Sequence, residues 1–359
     1  MPLSEHRCEG TPLFFCASGE FSFERGAEKE RRESAMVAIV QFPHSGKEFP
    51  CTKKTLFDQT NVTRWNAGDH CRRLVKHTGE YVNRNGQTEN GELAFWTEWE
   101  ANTISAPVVS TCLLGANCIH SCLYPDPIFA NQKWTCMHGK LDDNCSGGCC
   151  ETNCANKNLG INTDPCVFGS TFKYCLCRQD ASPLILKNLD KGSLVVFGSK
   201  VESKFCLDTV FVVASGQDYK TKQSSISKLH ASEEYKNLAL DRFTGFSGRF
   251  YRGAVQTGPV EGMYSFTPAK TLTRVTPSCG ARCVLDLQKI NRLGAQKMFN
   301  LKSTQSVKHT EVSAGNRGMI KRVWDEIRRQ VLANGFVLGV HFDWPTQRCV
   351  VKNGNVTLV

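Results

Sequence analysis

The most regular pattern of apolar positions lies near the C-terminus, where they recur every three or four residues between Met319 and Leu332. This spacing places them on one face of a helix, with basic residues interspersed. Gly335 stands where a left-handed residue would end that helix. Residues 336–342 are mostly apolar and predict a strand directly after it.

Two apolar runs in the middle of the chain predict a β-hairpin. Residues 193–198 read SLVVFG and residues 205–214 read FCLDTVFVVA, with a short polar link between them. Two β-rich runs joined in this way are typical of paired antiparallel strands. We expect residues 262–268 to add a strand to the same sheet. Residues 36–42 predict a further strand, ended by a proline.

The segment before the cysteine-rich region mixes both kinds of pattern. Residues 69–81 are polar and basic, and we interpret them as a short basic helix. Residues 92–100 alternate and predict a strand. Side chains alternate between the two faces of a strand, so Trp96 and Glu98 share one face and Trp99 lies on the other.

These patterns divide the chain into three parts. Residues 1–35 carry a mixed-charge run without an apolar face, and we expect a flexible N-terminal extension. Residues 36–345 form an α+β core domain, and residues 346–359 form a C-terminal tail. Within the core, residues 112–178 are rich in turn-forming residues and predict a Cys-rich loop segment. Residues 183–270 hold the predicted β-barrel part.

Composition narrows the class of protein. The 359 residues are 40% hydrophobic and 22% charged, as in globular proteins. Neither an apolar run of about 18 residues nor a basic, apolar leader is present, which argues against a membrane partner and against export. We therefore expect an intracellular protein, cytoplasmic or nuclear. The net charge of +10 favours a polyanionic partner, nucleic acid or a nucleotide.

Cysteine is unusually abundant, and its state has three interpretations. Of 19 cysteines, eleven lie between Cys112 and Cys177. They are free thiols in a reducing compartment, disulfides of an exported protein, or ligands of a structural zinc ion. The short spacings favoured for zinc single out Cys145, Cys149, Cys150 and Cys154. The paired C-x₂-C spacing of many zinc sites is absent.

One constellation combines aromatic, amide and ionisable side chains. Its members are Trp65, Asn66, His70, Arg72, Arg73, Trp96, Glu98 and Trp99. Aromatic rings stack on bases, asparagine pairs with base edges and arginine binds phosphate. His70 and Glu98 have the chemistry of an acid–base pair. The structural alternative places both tryptophans in the core or on a sheet face and pairs Glu98 with Arg72 or Arg73.

Four further candidate residues lie outside that constellation. Asn162 and Asp164 precede a proline, and they serve either as ligand-orienting groups or as an Asx-type turn. Arg178 follows a predicted strand and is a candidate for the same face. Asp208 lies inside an apolar strand, where a charge requires a partner. It is either a ligand-binding carboxylate or the buried partner of an arginine such as Arg252, and we favour the buried pair.

Several segments together resemble the nucleotide-modification-associated domain proteins, across roughly residues 36–345. They are FPHSGKEF at 42–49, WNAGDHCRRL at 65–74, LAFWTEWEANT at 93–103, INTDPCVFG at 161–169, KGSLVVFGS at 191–199, FCLDTVFVVA at 205–214, YRGA at 251–254 and GMYSFTPA at 262–269. The KGSLVVFGS and FCLDTVFVVA hairpin also resembles the barrel of PUA-like domains such as ASCH and EVE modules. The resemblance implies an α+β fold with a small PUA-like β-barrel and flanking helices, and binding of RNA or modified bases.

The leading functional hypothesis is a nucleotide- or nucleic-acid-directed protein that recognises or processes a modified base. One alternative is a hydrolase or transferase acting on a small nucleotide-like metabolite through His70 and Glu98. Another is an interaction protein whose cysteine-rich segment is held together by a bound metal ion. The chain has no P-loop, dinucleotide fingerprint, H-E-x-x-H motif or nucleophile elbow. Walker-type phosphoryl transfer and α/β-hydrolase chemistry are thereby disfavoured.

Overall fold

A computed structural model describes much of the chain between residues 36 and 358. The described residues are 36–43, 47–48, 63–64, 71–99, 104–105, 129–130, 164–175, 177, 179, 184–201, 204–220, 223–236, 240, 247–272, 282–294, 299–300, 307–344, 348–352 and 355–358. The predicted extension over residues 1–35 and most of the predicted Cys-rich loop segment lie outside them.

The elements are given in chain order. The strands are β1 Ala38–Pro43, β2 Lys47–Glu48, β3 Thr63–Arg64, β4 Cys71–Val82, β5 Thr88–Trp99, β6 Ile104–Ser105, β7 Phe129–Ala130, β8 Lys173–Tyr174, β9 Leu194–Val201, β10 Lys204–Lys220, β11 Ser247–Gly253, β12 Thr267–Thr271, β13 Cys283–Leu285, β14 Lys308–Glu311, β15 Val337–Phe342, β16 Arg348–Lys352 and β17 Asn355–Leu358. The α-helices are α1 Gln223–Ile226, α2 Glu233–Tyr235, α3 Leu287–Asn291 and α4 Arg317–Ala333, with 3₁₀ turns at Leu184–Lys187 and Ala314–Asn316.

The protein has an α+β fold in which strands predominate. In its described part, the larger sheet has the strand order β14-β1-β9-β10-β11-β8, with β13 beside β10. The next has the order β15-β12-β5-β4-β2, and two small sheets contain β17-β16-β7 and β3-β6. β1 runs parallel to β9, whereas β9 and β10 form the antiparallel hairpin that the sequence predicted.

The central strands of the larger sheet are buried on both faces. In β9, Val195 and Phe197 enter one hydrophobic cluster, while Leu194 and Val196 enter a second. Strands covered on both sides consist of nearly continuous apolar residues instead of alternating ones. This double burial explains why the hairpin stood out in the sequence.

The β15-β12-β5-β4 part of the second sheet closes into a four-stranded barrel. Gly339 of β15 lies opposite Thr267 of β12 and also opposite Tyr81 of β4. β12 pairs with β5, and β5 pairs with β4 over its whole length. Closure leaves these strands no open edge around the ring. Of the four strands, β12 is the one that comes from residues 183–270.

One helix prediction and one strand prediction need correction. The predicted helix over residues 69–81 is wrong, because Cys71–Val82 is strand β4, paired with β5 along twelve positions. The predicted strand over residues 262–268 joins the hairpin's sheet at one isolated bridge, Val210 to Phe266. The regular strand begins at Thr267 and belongs to the barrel.

The predicted C-terminal helix is confirmed as α4. Its buried residues are Ile320, Val323, Trp324, Ile327, Gln330 and Val331, and the apolar ones belong to the second hydrophobic cluster. The strand predicted after it is confirmed as β15. None of the helices in the described part of the chain is long and apolar enough to cross a membrane.

Candidate binding cleft

A cleft lies where β13, α3 and the C-terminal end of α4 meet. Its volume is about 540 Å³, and it is lined by Arg282, Val284, Leu285, Asp286, Lys289, Arg329, Gln330, Ala333, Asn334 and Phe336. This volume falls within the range of about 300–1,000 Å³ that small-molecule sites occupy. Apolar side chains and cationic ones therefore share a space large enough for a nucleotide-sized ligand.

Gln330 fixes the helix end that forms one wall of the cleft. Its side-chain carbonyl accepts a hydrogen bond from the Asp286 backbone N–H at 2.7 Å, and its Nε2 donates to the Asp286 carbonyl at 3.2 Å. Asp286 in turn caps α3 by accepting hydrogen bonds from Gln288 and Lys289 backbone amides. The buried amide thus ties α4 to the start of α3.

The end of α4 is closed by a Schellman motif. Gly335 has φ of +78°, a conformation that suits glycine. Its N–H donates to Leu332 at 3.1 Å, and the Phe336 N–H donates to Val331 at 3.2 Å. Asn334 then donates through Nδ2 to the Val284 carbonyl at 3.0 Å, which joins the helix end to β13.

Arg282 connects the cleft to the interior of the protein. In the β9–β10 ladder, Leu207 pairs with Gly198 and Thr209 pairs with Phe197, so Asp208 lies in a β-bulge between them. Arg282 Nη2 donates to Asp208 Oδ1 at 2.5 Å, and the two side chains are 6% and 4% exposed. Asp208 therefore has the buried arginine partner that the sequence required, but it is Arg282 and not Arg252.

Two further contacts orient the Arg282 guanidinium. Nη2 also donates to Ser199 Oγ at 2.9 Å. The guanidinium carbon lies 4.8 Å from the centroid of the Trp96 ring, in a cation–π contact. Trp96 is 6% exposed, so its ring supports the arginine from the protein interior.

Two surface ion pairs stand at the cleft. Glu326 accepts hydrogen bonds from Arg329 at 2.6 and 2.7 Å, and Lys289 lies 3.4 Å from Asp286. Arg329 holds the pKa of Glu326 below its usual value, and Gln330 contributes in the same direction. The Lys289 backbone N–H likewise lowers the pKa of Asp286.

These pairs leave their cations available to an anion. The side chains of Lys289 and Arg329 are 57% and 58% exposed. The Lys289–Asp286 pair is exposed on both sides, and such pairs typically contribute about 0–1 kcal/mol, so a bound phosphate can replace Asp286 at small cost. Glu326 is 16% exposed and stays paired with Arg329, whose exposed side is open to an anion. Arginine offers a planar set of donors that matches phosphate oxygens.

The structure brings few of the sequence candidates to this cleft. Trp96 reaches it indirectly through Arg282. In the β4–β5 ladder, Arg72 stands opposite Glu98, Arg73 opposite Thr97 and Cys71 opposite Trp99. Nine predicted residues lie outside the described part of the chain: Trp65, Asn66, His70, Asn162, Arg178, Cys145, Cys149, Cys150 and Cys154.

Asp164 lies in a separate buried polar cluster. Its carboxylate accepts hydrogen bonds from the backbone N–H groups of Cys175, at 2.7 Å, and Cys177. The Cys175 thiol lies 2.8 Å from the Tyr235 hydroxyl, and burial raises the pKa of that phenol. The carboxylate is 1% exposed, and these contacts give it the role of fixing the 164–177 segment.

Lys173 is part of the same cluster. Its Nζ donates to the Phe168 and Thr171 carbonyls at 2.8 and 2.7 Å. It also lies 5.2 Å from the centroid of the Trp344 ring and 5.5 Å from that of Tyr235. These contacts stabilise a cation that is 3% exposed and bind the segment to the end of β15.

The described cysteines give no metal site. Cys166, Cys175, Cys206 and Cys283 are buried, and Cys177 is partly exposed. Within the described part of the chain, no three His, Cys, Asp or Glu side chains come together as metal ligands. The predicted zinc ligands lie outside it, so the zinc hypothesis stays a prediction.

The cleft cations Arg282, Lys289 and Arg329 were not predicted as site residues. Two signals pointed toward them: the unmatched charge of Asp208 and the arginines interspersed in the α4 pattern. Comparison with known proteins adds no guide, since no protein-family model, curated protein or solved structure matches the chain.

Proposed function

We propose that this chain is a nucleotide- or nucleic-acid-directed protein that recognises or processes a modified base, and that the cleft beside α4 is its binding site. The observation that carries the proposal is the presence of two exposed cations, Lys289 and Arg329, in one cleft of nucleotide size that is also lined by the buried Arg282. The cations suit phosphate, and the apolar wall with Val284 and Phe336 suits a base. The overall charge of +10 favours the same class of ligand.

We further propose that the fold is PUA-like, as the sequence resemblance implies. The closed four-stranded barrel supports this proposal, since the resembled domains contain a small β-barrel. The β9–β10 hairpin that carries the resemblance lies in the larger sheet and not in that barrel. The modified base as the recognised group rests on the resemblance, and it requires a direct test.

The phosphate site is tested by fluorescence anisotropy with short single-stranded RNA and DNA oligonucleotides, and by calorimetry with mononucleotides. The double variant Lys289→Gln/Arg329→Gln should weaken binding and should lower the salt slope by about 0.7 for each lost phosphate contact. The control is Arg322→Gln, which removes one positive charge of α4 outside the cleft. Arg322 is an exposed arginine of α4 whose Nη1 lies 3.7 Å from the Cβ position of Gly318, toward the other end of the helix.

Two results would overturn the proposal. One is a wild-type protein that binds neither nucleotides nor oligonucleotides at low salt. The other is a double variant whose affinity and salt slope equal those of the Arg322→Gln control. Base preference is tested by offering total cellular nucleoside monophosphates to the protein and measuring the bound fraction by mass spectrometry. Modified nucleotides should be enriched over the input, and an unselective bound fraction contradicts modified-base recognition.

A further inference from the structure

A second pair of cations lies beside the cleft, at Gly335. If Gly335 carried a Cβ, that atom would stand 3.2 Å from Lys270 Nζ and 3.5 Å from an Arg84 guanidinium nitrogen. Gly335 lies between two cleft residues, Asn334 and Phe336. We name Arg84 and Lys270 the rim pair. Both nitrogens lie within 3.5 Å of one point, a separation that a single phosphate group can bridge.

The turn that carries Arg84 is held in place. Asn83 Oδ1 accepts hydrogen bonds from the backbone N–H groups of Asn85 at 2.8 Å and Gln87 at 3.0 Å. Gly86 has φ of +79°, as in a three-residue hairpin loop that ends in a left-handed residue. Arg84 therefore projects from a structured turn, which lowers the entropy cost of using it in binding.

Part of the rim pair has a structural role at the C-terminus of α4. Lys270 Nζ donates to the carbonyls of Asn334 at 3.3 Å and Gly335 at 2.6 Å, so it caps α4. A helix C-terminus carries the equivalent of about half a negative charge. Two cations exceed that charge several-fold. Arg84 forms no ion pair or hydrogen bond through its side chain with any described residue. Helix capping accounts for Lys270 but not for the approach of Arg84.

We propose that the ligand of the cleft is a single-stranded nucleic acid with at least two phosphates, one held by Lys289 and Arg329 and the next by the rim pair. This inference rests on the proposed function and specifies its substrate class. A free mononucleotide has no phosphate for the second position. A duplex is too wide to enter a cleft of about 540 Å³, whereas one nucleotide of a single strand fits there.

The geometry also assigns Gly335 a role in binding. Its positive φ ends α4, and its missing side chain leaves the space into which both cations reach. Phe336, the next residue, is 6% exposed, and Lys270 Nζ lies 4.0 Å from its ring centroid. A strand that places one nucleotide in the cleft beside Phe336 would therefore pass the rim pair where it leaves the cleft. The backbone of the ligand would thus run from the cleft to the rim pair.

The test compares a mononucleotide, a dinucleotide with two phosphates and a longer single strand, on the full chain. Affinity should rise when the second phosphate is added. Arg84→Gln should lower the ratio of oligonucleotide to mononucleotide affinity and reduce the oligonucleotide salt slope by about 0.7. Arg322→Gln, an equal change of charge elsewhere, should leave that ratio unchanged. Thermal unfolding of both variants controls for folding.

The outcomes separate this inference from the proposed function. If a mononucleotide binds but the second phosphate adds nothing, or if Arg84→Gln matches Arg322→Gln, the two-phosphate site is wrong and the cleft proposal stands. If no nucleotide of any length binds, the proposed function itself fails. Equal binding of a duplex, or equal displacement by polyglutamate, would overturn the single-strand assignment in favour of a general polyanion surface.

Discussion

Replacing Asp208 with asparagine should destabilise the protein by about 3 kcal/mol. Breaking a buried ion pair by removing one partner costs about 3–5 kcal/mol, since the remaining charge has neither solvent nor partner. The Asp208 and Arg282 side chains are 4% and 6% exposed, which places the pair in this class. We expect the lower end because Arg282 keeps its hydrogen bond to Ser199 and its contact with Trp96.

The assay is urea unfolding, with the free energy of unfolding compared at equal m-value. The control is Asp218→Asn, which removes the carboxylate from a pair with Arg249 at 3.2 Å. Asp218 is 74% exposed, so this change should cost less than about 1 kcal/mol. Replacing both buried partners, Asp208→Leu with Arg282→Met, should recover most of the loss.

Equal effects of Asp208→Asn and Asp218→Asn would refute the reasoning, because burial would then make no difference to the value of the pair. A double variant less stable than Asp208→Asn alone would show that the asparagine effect came from lost packing and not from an unpaired charge.

Four further outcomes are expected. Gly335→Ala should destabilise by about 1–2 kcal/mol in thermal unfolding because of its positive φ, whereas Gly318→Ala in the first turn of α4 should be neutral or stabilising. Gly198→Ala should cost about 1–3 kcal/mol, since its Cβ would overlap the backbone oxygen of the adjacent strand β10. Among the five cysteines whose side chains the structure describes, iodoacetamide should label the partly exposed Cys177 in the native protein, and the four buried ones should react after unfolding; peptide mass spectrometry reads this out. The lowered pKa of Glu326 means that its contribution to stability is present above the usual glutamate pKa and is lost as the pH falls, so Glu326→Gln should flatten the acid limb of the stability curve.

Each expectation has an opposing result. Equal melting temperatures for the two helix variants would remove the backbone argument at Gly335. A Gly198→Ala variant with unchanged stability would show that β10 can shift without any loss of stability. Early labelling of Cys283, whose pKa burial raises to about 12, would show that its strand opens readily. An unchanged acid limb for Glu326→Gln would mean that the Arg329 pair contributes nothing.

The sequence predicted elements well where burial leaves a regular pattern. α4 exposes one face and buries the other, so its apolar residues recur at helical spacing. β9 and β10 are covered on both sides and consist of apolar runs bounded by turns. β4 was mistaken for a helix because its polar and basic residues carry no clear period. Its conformation is determined by pairing with β5, which propensity alone does not reveal.

The cleft was harder to predict than the fold, because its residues come together only in the folded chain. Arg282 precedes β13, Lys289 lies in α3 and Arg329 in α4. The apolar neighbours of Asp208 showed that its charge needs a partner. That the partner is Arg282 depends on the pairing of β13 with β10 beside the bulge, which the sequence does not reveal. Trp96, from the predicted constellation, supports the cleft residue Arg282 with its buried ring. The binding and catalytic roles that we predicted for the other members stay predictions.

The closed barrel has a consequence for how the chain is made. Its first hairpin, β4 and β5, leaves the ribosome long before β15, which pairs with both β12 and β4. At about 5–20 residues per second, the interval from the end of β5 to β15 is on the order of ten to fifty seconds. Throughout it, β4 lacks the strand that closes the barrel, and an open strand edge of this kind can pair with other chains. Nascent chains that stop before β15 should therefore depend on chaperones, and the last barrel strand to emerge decides whether the β4–β5 hairpin stays soluble.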